Sequence, residues 1–177
     1  MSKRLAAEFE LIANSLKAGD AANSQLSLAT LAERIAKNLN VKADEVAILA
    51  ISERHRNLYF LVPEALRNVG QVPLSSTSAL AARTVRDSRP EIINNFSVVR
   101  HASVFEAVKA DTLTASAIQK IISAPILVDG KVIAVIQVSR KAATPAEAGP
   151  DFNAEDLGKL LAICKPLGKL IQHAAKE

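Results

Sequence analysis

The chain has 177 residues, of which 49% are hydrophobic, and it carries a net charge of +4 and a single cysteine. This length suits one domain with its own core, and no apolar run reaches the ~18 residues that a membrane-spanning helix needs. The dispersed charges, the 3% of aromatic residues and the lone thiol argue against dedicated nucleic-acid binding, an intrachain disulfide and a multi-thiolate metal site.

The N-terminal segment has the pattern of an amphipathic helix. Apolar side chains recur at Leu5, Phe9, Ile12 and Leu16, a spacing that lines one helical stripe. Acidic residues interrupt the basic start of this segment before a signal peptide develops, so we expect a cytoplasmic protein without a membrane partner. We assign residues 1–26 to an N-terminal helix that is a candidate dimerisation arm.

A second helical pattern is followed by a hairpin. The small and polar residues 21–25 predict a connection, and Thr30 and Glu33 have the spacing of a capping box at the start of the helix. Apolar runs at 45–51 and 58–63, separated by a charged connection, predict the two strands. The apolar face of the helix carries Leu28, Leu31, Ile35 and Leu39.

The middle of the chain is less regular. Hydroxyl side chains at 75–78 can cap a helix that is stopped by Pro90. Residues 92–96 are compatible with a short strand, and residues 100–119 read as a helical or loop segment of loose periodicity. The inward positions of the capped helix are Ala79, Leu80, Ala82 and Val85.

The stretch 124–138 predicts a hairpin that is apolar on both faces. Asp129-Gly130 suits a two-residue type I′ turn. This turn predicts the pairs Val128 with Lys131, Leu127 with Val132 and Pro125 with Ala134. An antiparallel sheet usually leaves one face in water, so a hairpin with two apolar faces must lie inside its sheet and be covered on both sides. The terminal helices can cover one face and the middle segment the other.

A Pro- and Ala-rich loop leads to the last helix. Asn153 and Asp156 have the spacing of its N-cap and third helical position. Pro166 removes a backbone hydrogen bond and predicts a kink or break near that point. Cys164 lies on the apolar stripe, where core packing is favoured over a reactive thiol.

This order of elements resembles a GAF domain from about Ser27 to the end of the chain. The blocks "VPLSSTSALAARTVRDSRPEIINN", "APILVDGKVIAVIQV" and "FNAEDLGKLL" carry the resemblance. It implies an α+β fold over residues 27–177, with a central antiparallel sheet of about six strands. It further implies N- and C-terminal helices on one face, which often dimerise, and a helix and loop insertion over a small-molecule pocket on the other.

Departures from the family's known branches limit the ligand. Phe152 and Asp156 match part of the cyclic-nucleotide signature, but Ser139-Arg140 and Leu157 stand where its other members belong, so no cyclic nucleotide is expected. No cysteine lies where a bilin would attach covalently. Members that reduce free methionine sulfoxide use thiols in succession, and one cysteine cannot do so. We therefore expect neither a cofactor nor a metal, and no enzyme activity.

The insertion supplies the candidate ligand-binding residues. Arg100 and His101 lie between Phe96 and Phe105, and an arginine there would favour a carboxylate or phosphate. Alternatively, Arg100 is solvated and His101 packs a loop. Ser76 and Thr77 pose a similar choice between capping a helix and binding an anion at its N-terminus. Capping is the favoured interpretation.

Two functions remain open. The chain is either a small-molecule sensor that signals through its terminal helices to a protein partner, or a ligand-free scaffold for dimerisation or protein interaction. A homodimer through the terminal helices is expected in both cases.

Overall fold

Six strands and three α-helices are found among the residues that the computed structural model describes, which are 21–63, 71–77, 79–96 and 118–174. No helix in these ranges is long and apolar enough to cross a membrane. The predicted helix with Leu5 and Phe9 lies outside the described residues. In chain order the elements are α1 (Ala21–Leu39), a 3-10 turn (Ala43–Glu45), β1 (Val46–Ser52), β2 (Asn57–Val62), β3 (Gln71–Pro73), α2 (Leu80–Asp87), β4 (Glu91–Ile93), β5 (Ile118–Val128), β6 (Lys131–Lys141) and α3 (Ala154–Ala174).

The strands form one antiparallel sheet in the order β3-β2-β1-β6-β5-β4. The two hairpins therefore meet at its centre, where β1 pairs with β6. Both strands of the second hairpin are interior, as its two apolar faces predicted. The implied α+β fold, with about six strands, is confirmed.

Each face of the sheet has its own apolar cluster. One cluster joins α1 and α3 to the sheet through side chains such as Leu31, Ile136 and Leu167, and we call this the helix-pair face. The other cluster joins α2 to the sheet through side chains such as Leu49, Leu80 and Val135, and we call this the α2 face. The terminal helices thus cover one side and the middle of the chain contributes to the other, as expected.

Helix α1 buries the four predicted apolar positions but begins earlier than predicted. Leu28, Leu31, Ile35 and Leu39 are all buried. Residues 21–25, expected as a connection, are helical. The predicted capping box at Thr30 and Glu33 is therefore wrong, because both residues lie within the helix, where the backbone N–H groups already have partners.

The second hairpin has the predicted turn and a different register. Asp129 and Gly130 both have positive φ, 53° and 79°, as a type I′ turn requires. Val128 pairs with Lys131 and Leu127 with Val132, but a register shift between Ile126 and Leu127 follows. Pro125 consequently pairs with Val135 rather than with Ala134. The pairing predicted from the turn places Ala124 and Ile126 on the face opposite to Ala134, Ile136 and Val138. This is wrong, because the shift brings all five side chains to the helix-pair face.

Helix α3 begins with the predicted capping box and continues through its proline. The N–H of Asp156 donates to Asn153 Oδ1 at 2.9 Å, and the N–H of Asn153 donates to Asp156 Oδ2 at 3.0 Å. The helix runs unbroken past Pro166 to Ala174, so the expected break does not occur. Buried leucines on the following turn, such as Leu167 and Leu170, hold this part of the helix on the sheet.

Two boundaries in the middle of the chain differ from prediction. The N-cap of α2 is Ala79, and no side chain caps it. Ser76 Oγ instead accepts a hydrogen bond from the N–H of Ala79, just before the helix. Strand β5 begins at Ile118, within the segment expected to be helical or loop, because pairing with β6 determines its conformation there.

Candidate functional site

A row of polar side chains crosses the α2 face of the sheet. Three of its residues are in register across neighbouring strands, and Ala47 of β1 continues the line on one side. The three are Gln137 on β6, Ser123 on β5 and Glu91 on β4. Thr84 of α2 lies over the row, with its hydroxyl 2.7 Å from that of Ser123. We call Gln137, Ser123 and Thr84 the polar row; each is 0% exposed. Fully buried polar groups that are hydrogen-bonded to one another within the apolar cluster of this face mark the row as the candidate site.

Hydrogen-bond donors and acceptors fix the direction of the polar row. Thr84 uses its one hydroxyl proton on the carbonyl of Leu80, at 2.9 Å. The hydroxyl of Ser123 must then donate to Thr84, and it accepts from Gln137 Nε2 at 3.2 Å. The row therefore runs from amide to hydroxyl to hydroxyl to carbonyl.

Gln137 Oε1 is left over at the head of this row. The atom is buried and has no hydrogen-bond partner among the described residues. Because Nε2 is turned towards Ser123, the carbonyl is directed away from it. The cross-strand neighbour on β1, Ala47, carries only a methyl group and offers no side-chain donor. A buried acceptor without a donor costs free energy unless something supplies one.

A charged pair closes the other end of the row. Arg83 of α2 donates from Nε and Nη2 to the two carboxylate oxygens of Glu91, at 2.9 and 3.0 Å. This fork geometry neutralises both charges and ties α2 to the edge strand β4. The described side chains of the row and of this pair together carry no net charge.

Only part of the predicted site is described. Phe96 is buried and packs in the cluster of the α2 face. Ser76 and Thr77 lie in the loop before α2 and are not among the hydrogen-bond partners of the polar row. Neither residue caps the helix. Arg100, His101 and Phe105 lie outside the described residues.

The sequence contained a signal for the row that the prediction did not use. Ser123 and Gln137 each interrupt a run of apolar residues, in "IISAPI" and "AVIQV". A polar residue in a strand buried on both faces needs a partner inside the protein. That requirement singles out both positions, although the sequence does not show that they face each other.

A second set of contacts joins β4 to the start of α3. The side chain of Asn94 donates to the carbonyl of Phe152 at 3.0 Å and accepts from the N–H of Phe152 at 2.9 Å. The guanidinium of Arg140 lies 4.7 Å from the centre of the Phe152 ring. The same guanidinium donates to the last carbonyls of α1, those of Leu39 and Asn40. The end of α1, the start of α3 and the strand beside the polar row thus share one network.

A groove lies on the helix-pair face, between α3 and the tip of the second hairpin. Its volume is about 400 Å³. Leu127 and Leu161 are 37% and 42% exposed, which is unusual among the large apolar side chains that the structure describes. We call it the hairpin groove. It is lined by Pro125, Leu127, Val128, Asp129, Leu161, Cys164, Lys165 and Lys169.

Cys164 borders this groove but is unsuited to thiol chemistry. Its Sγ donates to the carbonyl of Leu160 at 3.3 Å. Burial raises the pKa of the thiol to about 12, because the thiolate would lose its hydration. The expected role in core packing agrees with this. Among the described residues, no group of three or more His, Cys, Asp or Glu side chains could hold a metal ion.

Comparison with known proteins identifies the family and the fold. The family model of the GAF domain matches residues 24–171. Solved structures that resemble the chain include the GAF domain of a phosphoenolpyruvate-protein phosphotransferase from Acinetobacter (18% identity, TM-score 0.69, covering 97% of this chain and 92% of that one). A methyl-accepting chemotaxis protein is also similar (18% identity, TM-score 0.64, covering 85% of this chain and 90% of that one).

A third similar structure is a free methionine-R-sulfoxide reductase from Neisseria meningitidis, solved with its substrate (15% identity, TM-score 0.63, covering 98% of this chain and 89% of that one). No curated protein matches the chain. At these identities the structural likeness establishes the fold and not the activity.

Proposed function

The chain belongs to the GAF domain family, whose members are generally regulatory or sensory, and on that basis we propose that it binds a small molecule on the α2 face and signals through its terminal helices. The polar row carries this proposal. Its residues are fully buried, yet the acceptor at its head has no partner among the described residues. A binding site needs a few fixed polar groups in an apolar surface, and the row provides them.

Contacts between the two faces supply a route for the signal. Asn94 follows β4, which pairs with β5 beside Ser123, and both polar atoms of its side-chain amide hold Phe152. Arg140 connects Phe152 to the end of α1. A ligand that shifts the chain at β4 would change the contacts at the end of α1 and the start of α3.

We propose binding rather than catalysis. Thr84 and Ser123 bond to each other, to a carbonyl and to an amide, so none of their described partners is a base that could activate a hydroxyl nucleophile. Cys164 is kept protonated by burial. The charged pair at the end of the row, Arg83 and Glu91, is mutually neutralised.

The signalling surface is proposed to be a homodimer interface at the terminal helices. Leu161 of α3 and Leu127 of β5 are exposed at the hairpin groove and supply apolar area for such a contact. The same exposed pair also favours the second candidate function, a scaffold without a ligand. In that case the helix-pair side alone would be functional.

A screen of metabolites by thermal shift separates these functions. A sensor should gain thermal stability from at least one compound, and that compound should change hydrogen exchange at the end of α1 and the start of α3. The exchange response should be lost in Asn94→Ala and kept in Asn95→Ala, which alters the exposed neighbour. No stabilising compound, together with a dimer by light scattering at micromolar concentration, would favour the scaffold. A protein that is strictly monomeric by light scattering would contradict the interface proposed for both the sensor and the scaffold.

A further inference from the structure

We propose that Gln137 Oε1 anchors the ligand and that the ligand presents an uncharged N–H group, as an amide, lactam or urea does. This inference rests on the proposed function, because it names the chemistry of the same site. It is carried by one buried acceptor without a described partner and by the direction of the row that leads to it.

The direction of the polar row requires the ligand to supply the hydrogen-bond donor for Gln137 Oε1. The amide Nε2 of Gln137 is held by Ser123, whose own proton is committed to Thr84, so the glutamine amide is fixed with its carbonyl directed away from the row. Rotating the amide would break this order. An ionised carboxylate, a fully ionised phosphate ester or an ether lacks a proton to give, so none of them can satisfy Oε1.

The geometry of a carboxamide favours an amide-like partner over a simple hydroxyl. Nε2 has two protons, and the polar row uses one of them on Ser123. Gln137 therefore offers an acceptor and a spare donor on one planar group. A ligand with N–H and C=O side by side can satisfy both, as lactams do.

Charge in the row excludes an ammonium as the natural donor. The polar row is neutral, and the carboxylate of Glu91 is already held by both donors of the Arg83 fork. A buried cation would find no free counter-charge in these residues and would lose its hydration. An uncharged N–H avoids this cost.

Gln119 provides a matched control. It too is a buried glutamine whose Oε1 has no partner among the described residues, and its Nε2 donates to the carbonyl of Ala142 at 2.8 Å. It lies at the start of β5, and this bond does not join the polar row. Gln119→Met and Gln137→Met thus make the same chemical change inside and outside the row.

The test titrates δ-valerolactam, N-methyl-δ-valerolactam and δ-valerolactone, which share one ring size and differ in the N–H group. The side-chain NH₂ signals of Gln137, identified by their loss in Gln137→Met, report contact directly. The lactam should shift them saturably, and the two probes without N–H should bind about tenfold more weakly or worse. Gln119→Met should keep the response of the protein to the lactam, and Gln137→Met should lose it.

Three results would overturn the inference. Equal affinities for the lactam and its N-methyl form would show that the N–H group does not contribute to binding. This comparison uses only the wild-type chain, so it remains valid if Gln137→Met fails to fold. Unchanged lactam binding in a folded Gln137→Met would show a different anchor. No shift with any probe would show that the acceptor does not select this class. In each case the metabolite screen decides the proposed function separately.

Discussion

Replacing Gly168 by alanine tests how closely α3 packs on the second hairpin. A Cβ atom at Gly168 would lie 2.8 Å from Val128 Cγ2, 3.3 Å from Ile126 Cγ2 and 3.4 Å from the carbonyl oxygen of Leu127. The shortest of these separations requires the Val128 side chain, the helix or the hairpin to move. Overpacking of this kind costs about 1–3 kcal/mol, while alanine gains about 1 kcal/mol in helix propensity. We therefore expect Gly168→Ala to lower the free energy of unfolding by up to about 2 kcal/mol.

The same helix contains the control. A Cβ atom at Gly158 would have no neighbour within 4 Å, so Gly158→Ala should raise the free energy of unfolding by about 0.5–1 kcal/mol through propensity alone. Urea unfolding followed by far-UV circular dichroism measures both variants. Adding Val128→Ala to Gly168→Ala removes the nearest methyl group, and the cost of Gly168→Ala should shrink in that background. A Gly168→Ala protein as stable as Gly158→Ala would refute the packing argument.

Three further predictions concern side chains at the two faces. Cys164 should resist maleimide in the folded protein and react after unfolding. The pKa of its thiol is about 12 in the folded protein and 9.0 in the unfolded chain. The stability that the thiol contributes is therefore complete below pH 9 and is lost as the pH rises towards 12. In urea titrations, Cys164→Ala should lose less free energy of unfolding at alkaline pH than the wild type. Asn94→Ala removes both hydrogen bonds to Phe152 and should cost about 1–2 kcal/mol, whereas Asn95→Ala should cost little; equal effects would contradict the role of the link. Asn153→Ala should cost about 1 kcal/mol and speed hydrogen exchange in the first turn of α3, and an unchanged exchange rate there would count against the cap.

Local patterns predicted the frame of this fold well. The apolar stripe of α1, the first hairpin and the turn at Asp129 and Gly130 all follow from short-range spacing and backbone preference. The errors arose where tertiary pairing decides. The turn residues do not predict the register shift between Ile126 and Leu127, and the start of β5 at Ile118 depends on its pairing with Lys141 at the far end of β6.

The candidate site was less accessible to prediction. Ser123 and Gln137 could be noticed as polar residues in apolar strands, but their pairing requires the register of β5 and β6. Thr84 joins them only because α2 crosses that face. The hydroxyl side chains at 75–78 predict a helix cap, but residue type alone does not show which position is the N-cap. In the structure the N-cap is Ala79.

The meeting of β1 and β6 at the centre of the sheet has a consequence for how this fold can diversify. The pairing closes a single loop that contains everything from β2 to β5, while the strands that close it are held by the terminal helices. The entropy of closing such a loop grows only with the logarithm of its length, so doubling it costs about 0.6 kcal/mol. The connections between the enclosed elements can therefore change in length at small cost to the frame, and new recognition can be acquired there without redesigning the core.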